Sequence, residues 1–263
     1  MQTLNLIRPS KSDIKFNIIQ FPDGEPHIVL EEFDRKNPVK VICRITNPTD
    51  LFIAAQIGDI LRRQEVPFVY VIKYLMSMRM DRVMSFNEAY SLKIVMNILK
   101  SSGPTWIEVL EPHNEGAVLS NGGMVGPSQK PDFQECLIVF PDKGAQERYR
   151  YIPGPVVVCS KVRDTSTGKL ISFNIENPEV LEEHPNQPLV VLDDLCDGGG
   201  TFVGIAELLN EKCPNRPKSI FVTHAVNYKG IENMSKHYDN VYITNSYKDW
   251  DNLPENVTII DVV

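Results

Sequence analysis

Cysteine is sparse and unpatterned in this sequence of 263 residues. The five, at positions 43, 136, 159, 196 and 213, are odd in number, and no two form a CxxC pair. That excludes a disulfide framework and a zinc ribbon, and leaves reduced thiols as the expectation. Positive charge is also short: the net charge is -7. A nucleic-acid backbone is therefore not the expected partner. Phosphorylated small molecules stay open, because a local basic pocket or a metal ion can serve them. Long apolar runs are missing, and stretches such as "LFIAA" are far too short to span a bilayer. The first residues, "MQTLNLIRPSKS", hold no signal-peptide h-region. The expectation is a cytoplasmic protein with no membrane partner. There is no low-complexity segment. What is present, 42% hydrophobic and 23% charged residues, is an ordinary soluble globular composition. The length allows one large domain or two modest ones.

Short β-rich runs alternate with amphipathic segments. "VKVICRI" (39–45) predicts a buried strand. Residues 48–65 predict a helix, with Leu51, Phe52, Ala55, Ile60 and Leu61 near a 3.6-residue period behind Pro48. "PFVYVIKY" (67–74) is the next strand, 86–103 a helix stopped by Gly103-Pro104, and "TWIEVL" (105–110) a strand. The methionines at 76, 78, 80 and 84 predict one packed face by their alternate spacing. "SNGGMVGPSQKPD" (120–132) breaks the rhythm and is the best linker candidate. After it come strands at 136–140 and 155–160, a helix at 143–150, a β-like run at 170–176, a strand at 189–194, a helix at 201–212 and a strand at 219–225. Repeated β-α-β units predict two similar α/β domains, each a mostly parallel sheet flanked by helices. Ligands sit at the carboxyl ends of such strands. "EPH" (111–113), "PDKG" (141–144), "SKVRD" (160–164) and "DDLCDGGGT" (193–201) all follow predicted strands.

The last of these carries the most chemistry. Gly198, Gly199 and Gly200 lead into a helix, and backbone N–H groups of such a turn can cradle a phosphate. Thr201 can cap the helix or donate to a phosphate oxygen. Asp193 and Asp194 are acceptors suited to sugar hydroxyls or to Mg²⁺. An ordinary strand-to-helix turn capped by Asp197 is the plainer explanation. The stretch is neither a Walker A loop nor a GxGxxG turn. The whole pattern resembles the loop by which type I phosphoribosyltransferase folds bind phosphoribosyl pyrophosphate. That likeness implies that the acids contact ribose hydroxyls and that Asp197 through Thr201 hold the 5-phosphate.

Five further segments resemble the ribose-phosphate pyrophosphokinases, in that family's order from about residue 20 to residue 225. They are "QFPDGEPHI" (20–28), "SMRMDR" (77–82), "VLEPHNEG" (109–116), "IVFPDKGAQERY" (138–149) and "CSKVRD" (159–164). The resemblance implies two phosphoribosyltransferase-like domains, 1–125 on the ATP side and 126–263 on the ribose-phosphate side. It implies ATP contacts from Phe21, Asp23, Glu25, Arg79, Asp81 and Arg82, and an active-site His113. It also implies Lys161 and Arg163 on a mobile catalytic loop, and Mg²⁺ near His113 and Asp142. The partners implied are ATP and a ribose phosphate, in a homo-oligomer. Pyrophosphoryl transfer suits these residue types, because positioning and charge stabilisation dominate it.

Singly, each segment has an ordinary explanation. Arg79, Asp81 and Arg82 can be a surface ion-pair cluster. His113 can be a strand-end residue bonded to backbone, and Lys161 and Arg163 can be solvated loop cations. His27, His184 and His237 have no assigned role, and His224 can line the cleft. Two departures stand out. Met80 replaces the family's usual Gln, and Gly198-Gly199 replaces a Thr and a small residue, which loosens the loop. That leaves room for a larger group on the 5-phosphate, as in ADP-ribose. Two other functions remain at this point: a phosphoribosyltransferase that consumes phosphoribosyl pyrophosphate, and a non-catalytic regulator with the same fold.

Overall fold

The computed structural model describes residues 1–163 and 170–263, with the side chains of 163, 170 and 171 outside the description. Two compact units account for the chain, Met1–Ser128 together with Val263, and Gln129–Val262.

The first unit begins with β1 (Gln2–Asn5), followed by a hairpin of β2 (Phe16–Gln20) and β3 (Pro26–Leu30). Then come β4 (Val39–Ile45), α1 (Pro48–Arg63), β5 (Phe68–Leu75), α2 (Ser91–Ser101), β6 (Trp106–Leu110), α3 (Glu115–Ser120) and β7 (Met124–Gly126). The sheet order β1-β4-β5-β6-β7 is parallel throughout. In β4 the residues Val39, Val41, Cys43 and Ile45 point to one buried face, the period-2 pattern of a pleated strand. Asn47 starts α1 by accepting the N–H of Asp50, and Pro48 takes the first turn, where its missing N–H costs nothing. Leu51, Ala54, Ile57 and Leu61 then recur on the buried face. The antiparallel hairpin is tied to α1 by Gln56, which accepts from Ile28 N at 3.0 Å and donates to Pro26 O at 2.8 Å.

Three expectations for this unit need correction. The second helix starts at Ser91, not at 86, because its buried stripe is Leu92, Val95, Met96 and Leu99, and Phe86 lies fully in solvent. The methionines do not share one face. Met78 is buried, while Met80 and Met84 are exposed, because 76–90 is a succession of turns and bends without a strand period. Part of the expected linker is β7, an edge strand paired with β6, while the division between the two units, after Ser128, does fall within that stretch.

The second unit contains β8 (Leu137–Phe140), α4 (Lys143–Arg148), β9 (Val156–Arg163), β10 (Leu170–Ile175), α5 (Glu179–Glu183) and β11 (Leu189–Cys196). It continues with α6 (Gly200–Lys212), β12 (Lys218–Ala225), α7 (Tyr228–Ser235), β13 (Asn240–Thr244) and β14 (Val257–Ile260). The order is β10-β9-β8-β11-β12-β13-β14, parallel except for the β10/β9 pair. Strands covered on both faces read as continuous apolar runs. In β11, Leu189 and Val191 enter one core while Val190 and Leu192 enter the other. The chain runs outward from β8 to β9 and β10, then resumes on the other side of β8 with β11. That reversal is a topological switch point, and the crevice beyond the carboxyl ends of β8 and β11 is where such sheets bind ligands.

All five cysteines are free. Burial pushes the thiols of Cys43, Cys159 and Cys196 up to about 12, so these three stay protonated. Among the described residues, no helix is long and apolar enough to cross a membrane.

Candidate functional site

In the second unit, the strand runs further than its apolar residues suggested. β11 continues through Cys196, two residues past the expected end at 194, so Asp193 and Asp194 lie within the strand. Asp194 is 2% exposed. Both acids meet one cation that the sequence reading missed. Arg148 Nη1, from the end of α4, lies 3.1 Å from Asp193 Oδ1 and 2.8 Å from Asp194 Oδ1. Burial and the charge of Asp194 push the Asp193 carboxyl well above the usual carboxylate range, and Arg148 works against that rise.

The turn after β11 is bare backbone. Gly199 has φ +79°, a left-handed value that glycine adopts without strain, and α6 begins at the next residue. The N-cap of α6 is Gly199, with no side-chain cap bond among the described residues, so neither Asp197 nor Thr201 takes the expected cap position, and Thr201 sits inside the first turn. The first N–H groups of this 13-residue helix are left for another acceptor. A β-carbon at Gly198 or Gly200 would meet nothing within 4 Å, so open space lies over the turn.

From behind, the turn is held by α7. Asn233 Nδ2 donates to Gly198 O at 2.9 Å. Gly230 approaches so closely that a β-carbon there would overlap Asp197 O and come within 2.8 Å of Cys196 Sγ. The plain chemistry of "YKGIEN" gave no local sign of this role.

Asp142 follows β8. Its Oδ1 caps α4 by accepting from Ala145 N at 3.0 Å, and its Oδ2 pairs with Lys161 Nζ at 3.3 Å. Lys161 is not on a loop as expected. It and Arg163 belong to β9, where Phe173 and Leu170 of β10 are their antiparallel partners. The Arg163 side chain, and Asp164 with the rest of the expected loop to 169, lie outside the described residues. His224 is fully buried and bonded through Nδ1 to Ser246 Oγ at 2.8 Å, which rules it out as a cleft-lining residue.

The first unit brings together two of its quoted segments. Asp81 is 6% exposed and holds Arg82 through two bonds of 2.8 and 2.9 Å, and it accepts from Asn114 Nδ2 at 2.6 Å. Asn114 also caps α3 through Ala117 N. Arg82, then Asn114, with His113 adding its charge from nearby, hold the Asp81 carboxyl below the usual carboxylate range. Asp81 thus braces the neighbourhood of His113 and does not project outward. Arg79 and Arg82 are exposed. Ser77 and Glu111, one within each segment, carry positive φ values of 68° and 38°, the kind of local strain that gathers at working loops.

A depressed carboxyl contributes stability that is present above the ordinary aspartate value of about 3.9 and is lost as pH falls through the folded value. Asp81→Asn is therefore expected to flatten the acid limb of stability below about pH 5. Circular dichroism melts across that range check it. An acid limb unchanged from wild type would contradict the brace.

Phe21, Asp23 and Glu25 occupy a separate place, the exposed turn of the β2/β3 hairpin. That turn is closed by Gly24 N to Phe21 O at 2.8 Å and Phe21 N to Glu25 O at 2.9 Å.

Among the described residues, no three His, Cys, Asp or Glu side chains converge as a metal cage. Mg²⁺ commonly needs only one or two carboxylates, with phosphate oxygens and waters completing its shell. Asp142, with its carboxylate at 43% exposure, fits such a role.

No family model matches the chain. Curated relatives do. The ribose-phosphate pyrophosphokinase of Pyrococcus abyssi is 28% identical, across 95% of this chain and 88% of that protein. That of Saccharolobus solfataricus is 27% identical, across 72% of this chain and 69% of that protein. Among solved structures, phosphoribosylpyrophosphate synthetase from Mycobacterium smegmatis superposes with a TM-score of 0.78 at 18% identity, over 97% of this chain and 88% of that one. The chain is thus similar over most of its length to the ribose-phosphate pyrophosphokinases, and it shares the fold of a phosphoribosylpyrophosphate synthetase, α/β with mostly parallel sheets flanked by helices.

Proposed function

We propose that this protein is a Mg²⁺-dependent pyrophosphokinase. It transfers the β,γ-pyrophosphoryl group of ATP to the anomeric 1-hydroxyl of ribose 5-phosphate or of a 5-phospho-substituted ribose such as ADP-ribose. The sugar oxygen bonds to the β-phosphorus, the bond from that phosphorus to the α,β-bridging oxygen breaks, AMP leaves, and the hydroxyl proton is lost. The observation that carries this reading is the pair Asp193–Asp194 beside a bare glycine turn at the switch point of a parallel sheet. Acceptors for ribose hydroxyls and donors for a phosphate stand there together.

The roles follow from chemistry. Residues 126–263 hold the ribose phosphate, through Asp193, Asp194 and the backbone from Asp197 to Thr201. Residues 1–125 hold ATP, through Phe21, Asp23, Glu25, Arg79 and Arg82, with Asp81 bracing Arg82. Lys161 and Arg163 neutralise the group in transit. His113 and Asp142 are the residues that would hold Mg²⁺, which would screen phosphate charge. The apolar exposure of Ile18, Ile19, Phe21 and Val29 on the hairpin supports a homo-oligomer. The open space over Gly198 and Gly200 supports an acceptor with a substituent beyond the 5-phosphate.

The test is an incubation with ATP, Mg²⁺ and either ribose 5-phosphate or ADP-ribose, followed by mass spectrometry. AMP and an acceptor heavier by one pyrophosphate are expected, with ADP-ribose the better acceptor. A clear preference for ribose 5-phosphate sinks the larger acceptor. Turnover only with phosphoribosyl pyrophosphate and a base, without ATP, makes the protein a transferase. No turnover with any of these leaves the regulator.

A further inference from the structure

Arg148 belongs to no role given above, yet it is among the most enclosed cations of the second unit. Its side chain is 9% exposed, and one nitrogen serves both acids of β11. We propose that Arg148 is a positioning residue of the acceptor site, fixing the carboxylates of Asp193 and Asp194 and cancelling one of their two charges so that both can accept ribose hydroxyls. This rests on the reading of that site as a sugar-phosphate site.

Two neighbouring carboxylates shielded from water repel each other, and without a cation one takes up a proton. A protonated carboxyl donates where the sugar needs an acceptor. Among the described residues, the neighbouring strands add no second cation at this point. Opposite Asp193 on β12 stands apolar Val222, and the pairing with β8 ends at Val191 and Val139. Next along the chain, Cys196 keeps its proton and offers no charge, and Asp197, just past β11, adds only another acid. Lys161 on β9 is engaged by Asp142. The geometry also joins two parts of the site. Asp142 caps α4 and Arg148 ends it, and a helix of six residues holds its ends about 9 Å apart. One short helix therefore sets the distance between the Asp142–Lys161 pair and the two acids.

Arg148→Met and Arg148→Lys test this in the full-length protein, with melting curves as the folding control. Arg148→Met is expected to raise the acceptor KM by about 10- to 100-fold, the scale of losing charge-assisted hydrogen bonds, while the KM for ATP stays within about two-fold. The defect should shrink as pH rises and the acids ionise, and Arg148→Lys should recover part of it. An unchanged acceptor KM, equal shifts for both substrates, or a defect independent of pH overturns the proposal. If Arg148→Met does not fold, Arg148→Lys must show a smaller shift in the same direction, and no shift overturns it. A wild-type protein that transfers nothing defeats the functional reading instead. In that case NMR of isotope-labelled aspartate carboxyls still decides the matter without substrate. The aspartate pair of the variant must titrate higher than that of the wild type, and a titration identical to wild type overturns the proposal.

Discussion

Lys161→Ala is expected to lower kcat by roughly 10²- to 10³-fold, the usual cost of removing one group aimed at developing charge. Stability should hardly change. The Lys161–Asp142 pair is partly solvated, with side chains 29% and 43% exposed, and such pairs contribute about 0–1 kcal/mol. The side chain rises from β9, whose ladder with β10 continues through Lys161 and Phe173, so the backbone survives the substitution. Placement on a strand also refines the expectation. A strand-borne ammonium is held in place before any loop moves, which favours charge stabilisation over simple loop closure as its contribution. The double variant Lys161→Ala/Arg163→Ala should be at least as impaired. Steady-state rates with saturating ATP and acceptor check this, and near-normal turnover in the double variant would contradict the assignment.

Gly230→Ala is the second large effect, and it acts through the cradle. The new methyl overlaps Asp197 O, a backbone atom that cannot swing aside as a flexible side chain can. Overpacking of this kind costs about 1–3 kcal/mol. In a chain of this size each kcal/mol lowers the melting temperature by roughly 2–4 °C. The turn from Asp197 to Gly199 must move, and with it the N–H groups that are to meet the 5-phosphate. Acceptor affinity should fall more than ATP affinity. Calorimetry on each substrate measures both. Unchanged acceptor binding, with the expected loss of stability, would show that the turn's position does not matter to the ligand.

Much of the sheet could be read from residues that are buried on both faces. "CLIVF" and "LVVL" are apolar because parallel strands covered by helices have no wet side, while "VKVICRI" shows itself by alternation, with exposed Lys40 between buried Val39 and Val41. α1 was legible because Asn47-Pro48 and an apolar stripe act over a few residues. The elements that escaped lack that local signal. β1 has four residues, and the hairpin exposes Ile18 and Ile19, so its strands look like loop with stray apolar residues. β7 hides among glycines because it is an edge of three residues.

The candidate site divides in the same way. The acids and glycines of 193–201 are contiguous and so announced themselves. Arg148 meets Asp193 across 45 positions of sequence, and Asn233 meets Gly198 across 35. One signal for Arg148 was available in principle. Two adjacent acids ending an apolar strand require a cation, and the helix after the neighbouring strand is the nearest supplier. The capping of α6 was misjudged for a related reason. A glycine in the left-handed region can start a helix without any side chain, and composition alone does not distinguish that from a capped start.

The most direct test of pyrophosphoryl transfer follows one phosphorus atom. The protein is incubated with Mg²⁺, an acceptor sugar phosphate and ATP carrying radioactive phosphorus at the β position only. The account predicts unlabelled AMP and label on the sugar product, released as pyrophosphate on acid hydrolysis. Label retained in ADP, or left in ATP while a base-dependent reaction proceeds, would contradict it.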